Sequence, residues 1–335
     1  MKLLYIGNKL STHGLNKTSI ETLGAFLKTE GFVVHYSSSK KNLFFRILDM
    51  LFNVCKYSRK TDYVLIDTYS TSAFWYAFMV SQLCRVLHVK YIPILRGGDL
   101  PNRLKVSPMF CNLLFKNAYK NIAPSHYLLT EFEKAGYTNL AYIPNTIEIQ
   151  NYNLRQRSVI QPKIIWVRAF AEIYNPKMAV DVLHQIKTYY PNAELCMVGP
   201  DKDGSGAATQ GYAKSLGLDV RFTGQLSKKE WTTLANDYDI FINTTHFDNT
   251  PVSVMEAMAL GLPVVSTNVG GIPYLLNHNE NALLVADDNV CEMVKAVSLL
   301  LEDTVLTDKL SKAGRAKAES WDWQTVKKDW IALLR

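Results

Sequence analysis

The chain has 335 residues, 48% of them hydrophobic and 20% charged, the make-up of a globular protein long enough for two cores. This composition excludes a collagen-like chain, extended disorder and a disulfide-stapled miniprotein. The net charge is +7, and the first half carries the excess: residues 1–150 hold 18 Lys and Arg against 9 Asp and Glu, residues 151–335 hold 19 against 21. A basic half beside a near-neutral half points to an anionic partner such as phosphates, nucleic acid or a membrane face.

The chain opens on a short apolar run, Leu3–Ile6, that reads as a buried strand. It reaches Gly7 too soon to form the core of a secretory signal. A helix is expected over Asn16–Glu30, with Ile20, Leu23 and Leu27 on one face and Gly31 as its stop. Further short apolar runs follow at Phe32–Tyr36, Tyr63–Ile66, Lys90–Leu95, Asn121–Ala123 and Ala141–Ile143. Runs of this kind, separated by helical stretches, predict a parallel sheet covered on both faces. The chain turns polar over 151–162, with Arg155 and Arg157, and a linker is expected there. The alternation then restarts at Lys163–Val167 and continues through Leu195–Val198, Val220–Phe222, Ile240–Ile242, Pro263–Ser266 and Ala282–Val285. Two doubly wound, Rossmann-like α/β domains facing a central cleft are therefore expected: 1–150, with a C-terminal helix 321–335 packing back on it, and 163–320. Ligands of such sheets sit beyond the carboxyl ends of the strands.

Five cysteines at 55, 84, 111, 196 and 291 form no CxxC spacing, which fits a reducing compartment. The longest uncharged apolar stretch, Ala73–Val80, has eight residues, and a membrane span needs about twenty. A cytoplasmic chain that does not cross a membrane is expected, at most peripheral on the inner face.

The most informative stretch runs from Phe247 to Gly271. Pro251 suits the first turn of a helix that ends near Leu260 and stops at Gly261. Free backbone N–H groups near Thr250–Ser253 would form an anion site favoured by the helix dipole. Asp248 lies just before this helix and Glu256 within it, among apolar neighbours. Gly270-Gly271 opens the next helix and offers a second close approach of backbone to a ligand.

Asp248 and Glu256, eight apart, followed by Ala257-Met258-Ala259-Leu260-Gly261-Leu262-Pro263-Val264-Val265 and Gly270-Gly271, resemble the retaining, nucleotide-sugar-dependent glycosyltransferases of family 4 (glycosyl transferases group 1), which have the GT-B fold. Ile122-Ala123-Pro124-Ser125, Ile143-Pro144-Asn145, Phe222-Thr223-Gly224 and Trp321-Asp322-Trp323 extend the likeness over nearly the whole chain. The first acid is Asp where the family has Glu, and the family's Gly-Gly-Ile-Pro-Glu is Gly270-Gly271-Ile272-Pro273-Tyr274 here.

The resemblance implies that Glu256 binds the ribose hydroxyls of a nucleotide donor and Asp248 the transferred sugar. It implies that the backbone of Asn249, Thr250, Pro251 and Val252 holds sugar and diphosphate. Arg168, at the carboxyl end of Lys163–Val167, and Lys177 would carry the charge of the leaving diphosphate. Gly14, Gly199 and Gly224 join the donor contacts. His13, Arg96 and Asp99 are candidates on the acceptor side. No metal and no cofactor are expected, because Arg168, Lys177 and helix N-termini take their place. The implied activity is hexosyl or related transfer to an acceptor hydroxyl with retention, in cell-surface polysaccharide or glycolipid synthesis. The implied partners are a nucleotide-sugar donor and a glycan or lipid-linked acceptor. The competing readings are a sugar-nucleotide epimerase or hydrolase of the same fold, and a non-catalytic sugar-nucleotide or nucleic-acid binder.

Three further segments need weighing. Residues 40–60 place an apolar helix between basic ends, which fits either a sheet-covering helix or one lying on an anionic membrane. Asp201-Lys202-Asp203-Gly204-Ser205-Gly206 starts like a calcium loop, but Tyr212 stands where the bidentate Glu belongs. Asp237-Tyr238-Asp239 precedes a strand of a doubly wound sheet and reads as structural. No recognisable nucleic-acid motif is present, and no nucleic acid is expected as a partner.

Overall fold

A computed structural model describes residues 1–11, 18–157 and 159–335. The chain divides into two units: Met1–Thr146 with Val326–Arg335, and Ile147–Thr325.

In the first unit six strands form one parallel sheet: β1 (Lys2–Ile6), β2 (Val33–Ser37), β3 (Tyr63–Thr68), β4 (Tyr91–Leu95), β5 (Asn121–Ala123) and β6 (Leu140–Tyr142), in the order β2-β1-β3-β4-β5-β6. The second unit repeats the plan with β7 (Lys163–Val167), β8 (Glu194–Val198), β9 (Arg221–Gly224), β10 (Ile240–Asn243), β11 (Val264–Thr267) and β12 (Leu283–Val285), in the order β12-β11-β10-β7-β8-β9. All twelve strands lie within two residues of their sequence expectation. The reason is burial on both faces. Each central strand is a run of β-branched and other apolar side chains, such as Ile164, Ile165 and Trp166 on β7, every one nearly inaccessible to solvent. The fold is therefore α/β, doubly wound twice.

Strand order also marks where ligands belong. In the second unit the chain runs outward from β7 through β8 and β9, then returns to β7's other side as β10. The direction of winding reverses between β7 and β10, so the loops leaving their carboxyl ends diverge and open a crevice. Arg168 directly follows β7, and the Asp248 loop follows β10.

The polar stretch after Gln150 belongs to the second unit, and although most of its described residues are exposed, buried side chains anchor it there. Tyr152 is 3% exposed and Arg157 1% exposed. The Arg157 guanidinium donates to the carbonyls of Arg155 (3.0 Å), Leu260 (2.6 Å), Tyr238 (3.2 Å) and Ala235 (3.2 Å). Its charge faces Asp239 at 3.8 Å, which Arg155 also pairs at 3.0 Å. Burial, aided by Arg155, lowers the Arg157 pKa to about 10, against the pull of Asp239. Asp239 is thus part of the scaffold. So is the acidic turn at 201–203: Asp201 accepts the N–H groups of Gly204 (2.9 Å) and Ala207 (3.0 Å) at the start of helix Ser205–Ser215.

Candidate functional site

At the winding reversal Arg168 and Asp248 meet. A guanidinium nitrogen of Arg168 pairs with the Asp248 carboxylate, the two side chains being 20% and 11% exposed. The guanidinium also lies over the ring of Tyr174, 4.2 Å from its centroid. That ring is fixed through the sheet. The Trp166 indole donates to the Thr244 hydroxyl at 3.0 Å, and the hydroxyl reaches the carbonyls of Tyr174 (2.9 Å) and Asn175 (2.8 Å). The loop after β7 is in this way tied to the end of β10.

Two glycines are required by close backbone approach. A Cβ on Gly199 would lie 1.8 Å from the Arg168 carbonyl oxygen, and one on Gly271 would lie 1.9 Å from that of Asn249. The Gly271 N–H donates to the Asp248 carbonyl at 2.7 Å. Gly270-Gly271 is therefore packed closely against the Asp248–Asn249 backbone. Gly199 likewise makes room for the Arg168 main chain.

The helix expected from Pro251 onward spans Val252–Ala259, with Pro251 as its N-cap and Gly261 in the left-handed region (φ +76°) behind it. The first N–H groups of a helix have no intrahelical partner. Beside them, the hydroxyls of Thr250 and Ser253 and the Nε of Arg168 are buried and make no hydrogen bond among the described residues. Each such group costs about 1–3 kcal/mol unless a ligand supplies the missing partner. These groups carry donor hydrogens and lie at a helix N-terminus, so the complementary ligand is rich in anionic oxygen.

Glu256 is 4% exposed. Its Oε1 accepts the Tyr152 hydroxyl at 2.7 Å and faces the Lys228 ammonium at 2.6 Å. Tyr152 packs in the core cluster with Ile147, Trp231 and Phe241. Burial, and then the Glu256 charge, hold its hydroxyl far above the ordinary tyrosine range, so it remains a proton donor. Lys228 begins the helix Lys228–Leu234, just past the carboxyl end of β9. Neither residue was marked by the sequence. Lys228 has a usable signal, its place after a strand, whereas Tyr152 has only an aromatic ring in a polar stretch.

Lys177 is exposed on the first turn of helix Pro176–Ile186 and makes no ion pair among the described residues. Gly224 is exposed with φ +69° and accepts the Gly199 N–H at 2.9 Å. Pro251 is buried and Val252 is 39% exposed. In the first unit Arg96 is held inside: its Nε pairs with the fully buried Asp67 at 3.2 Å, and its Nη1 donates to Asn145 at 2.6 Å. Burial alone would weaken its hold on the proton, but the attraction of Asp67 outweighs it and raises the pKa. Asp99 is exposed at the start of helix Leu100–Val106. His13 and Gly14 lie outside the described residues. Among the described residues no three His, Cys, Asp or Glu side chains cluster as metal ligands do, and no helix is long and apolar enough to cross a membrane.

Residues 153–317 match the family model of the glycosyl transferases group 1. This region of the chain is similar to that family. An uncharacterized glycosyltransferase of Haemophilus influenzae is 24% identical over 212 residues, 62% of this chain and 60% of that protein's length. Among solved structures, sucrose-phosphate synthase of Thermosynechococcus elongatus superposes with a TM-score of 0.80 at 15% identity, over 99% of this chain and 98% of its own. Anabaena HepE in complex with UDP-glucose gives 0.76 at 18% identity, over 100% and 99%. The fold is GT-B.

Proposed function

We propose that this protein is a retaining glycosyltransferase, moving a hexose or related sugar from a nucleotide diphosphate sugar to an acceptor hydroxyl. One observation carries the reading. At the β7/β10 reversal three buried donor groups, those of Arg168, Thr250 and Ser253, lack partners beside a helix N-terminus. The oxygens of a diphosphate would satisfy all of them. The family of residues 153–317 and the UDP-glucose in the HepE structure support the same donor class.

In this reading Glu256 accepts the ribose hydroxyls, held in place by Tyr152 and Lys228, and Asp248 accepts hydroxyls of the transferred sugar. Arg168 faces the diphosphate. As the anomeric carbon–oxygen bond breaks, negative charge grows on the phosphate oxygen, and Arg168 with the helix N-terminus stabilises it without a metal ion. The acceptor oxygen bonds to the anomeric carbon on the departing face and its proton passes to the leaving phosphate oxygen, which preserves configuration. Lys177 adds positive charge at the next helix start. We place the acceptor, a glycan or a lipid-linked sugar of cell-surface polysaccharide or glycolipid synthesis, with the first unit and the reaction in the cytoplasm.

The test is a thermal-shift screen with UDP-, GDP-, ADP- and CMP-sugars. A ligand at a hundred times its Kd stabilises by about 2.7 kcal/mol, a readily measured rise. No stabilisation by any of the four overturns the donor assignment. Rapid donor turnover without acceptor would favour an epimerase or hydrolase.

A further inference from the structure

Helix Leu43–Tyr57 is apolar on both faces. Inward, Met50 and Val54 are fully buried beneath the sheet, with Ile47 and Leu51 packed beside them. Outward, Phe44 is 66% exposed, Phe45 61%, Leu48 47% and Phe52 64%. Phe44, Leu48 and Phe52 are four apart and so align on one side. A helix that only covers a sheet presents polar residues outward.

Charge surrounds this face. Residues 40–60 contain Lys40, Lys41, Arg46, Lys56, Arg59 and Lys60 against the single acid Asp49. Asp49 is turned inward and accepts the Ser37 hydroxyl at 2.9 Å. Arg46 is tied down by the protein itself: its guanidinium donates to the carbonyls of Lys40 and Lys41, each at 2.7 Å, and to Asn8 Oδ1 at 3.0 Å, which fixes the basic segment at the head of the helix. The five remaining cations are exposed and make no ion pair among the described residues. The adjoining helix, Phe74–Val86, adds Trp75 in its first turn, 40% exposed.

We propose that the outer face of helix Leu43–Tyr57 is a docking surface for anionic lipid. Three exposed phenylalanines and a leucine would enter the acyl boundary while lysines at both ends meet the headgroup charge. At 15 residues the helix is about 22 Å long, too short to span a bilayer and suited to lying in its surface. A protein-binding face is the weaker fit, since such interfaces are depleted in lysine relative to the rest of the surface and four exposed lysines flank this face. The proposal goes beyond the donor reading and is tested without donor.

The experiment is co-sedimentation of the full chain with phosphatidylcholine vesicles, with and without phosphatidylglycerol. Binding is expected to the anionic vesicles only, and to weaken with salt. Phe44→Ser with Phe52→Ser should weaken it about 100-fold. Lys40→Gln, Lys41→Gln and Lys56→Gln together, which leave every apolar side chain in place, should also weaken it about 100-fold. All these side chains are exposed, so the thermal midpoint should hold. Equal binding to both vesicle types, or anionic binding that survives both variants, overturns the proposal. So does a wild-type dimer that the phenylalanine variant dissociates while vesicle binding is unchanged, which would make the occupant a second copy of the chain.

Discussion

Replacing Tyr152 by Phe isolates the support of Glu256. The ring, 3% exposed, keeps its place in the core, and the only atom lost is the oxygen that donates to Glu256 at 2.7 Å. A hydrogen bond to a charged group contributes about 1.5–3 kcal/mol. The remaining partner, Lys228, has a side chain 59% exposed, so solvent screens that ion pair and it cannot replace the bond. We expect a loss of about 2 kcal/mol, which for a unit of this size lowers the thermal midpoint by about 4–8 °C. Lys228→Met should cost less than about 1 kcal/mol. The pH dependence has a definite sign. The folded-state pKa of Tyr152 is raised, so its contribution is whole below the unfolded value near 10 and fades as pH rises beyond it. The gap between wild type and Tyr152→Phe should therefore be constant from neutral pH to about 10 and close above that. Calorimetry across that range is the assay. A midpoint within about 1 °C of wild type at pH 7 would refute the role given to this bond.

Glu256→Gln keeps an acceptor for Tyr152 but loses the charge, and should raise the donor KM about tenfold or more with a smaller change in kcat; steady-state kinetics decide. Arg168→Lys lacks the guanidinium that reaches Asp248 and the Tyr174 ring, and should lower kcat about 100-fold with the fold intact. Arg157→Met strands the Leu260, Tyr238 and Ala235 carbonyls and should destabilise the protein by about 3 kcal/mol in urea unfolding, with the nucleotide-sugar site untouched. Transfer should persist unchanged in excess EDTA; its loss, restored by a divalent ion, would overturn the metal-free reading.

Strand positions were legible because a strand covered on both faces must be apolar at nearly every residue, and short runs such as Lys163–Val167 and Ile240–Ile242 are too brief for a helix. The helix at Val252 was legible for a local reason too, with Pro251 before it and Gly261 behind it. What could not be read was partnership across long separations. Tyr152 and Glu256 are 104 residues apart, and Arg168 and Asp248 are 80 apart. Residues 151–162 read as a polar linker because their side chains are polar, yet Arg157 is buried by carbonyls that only the folded unit assembles.

The basic excess of residues 1–150 shows the same division. Composition alone established that residues 1–150 carry the positive excess. Only the tertiary structure showed that Arg96 is consumed inside by Asp67 and Asn145, whereas the lysines around helix Leu43–Tyr57 remain exposed beside outward phenylalanines. Charge is a sum over residues and survives any fold. Which charges remain available depends on which side chains the sheet buries, and that is fixed by packing.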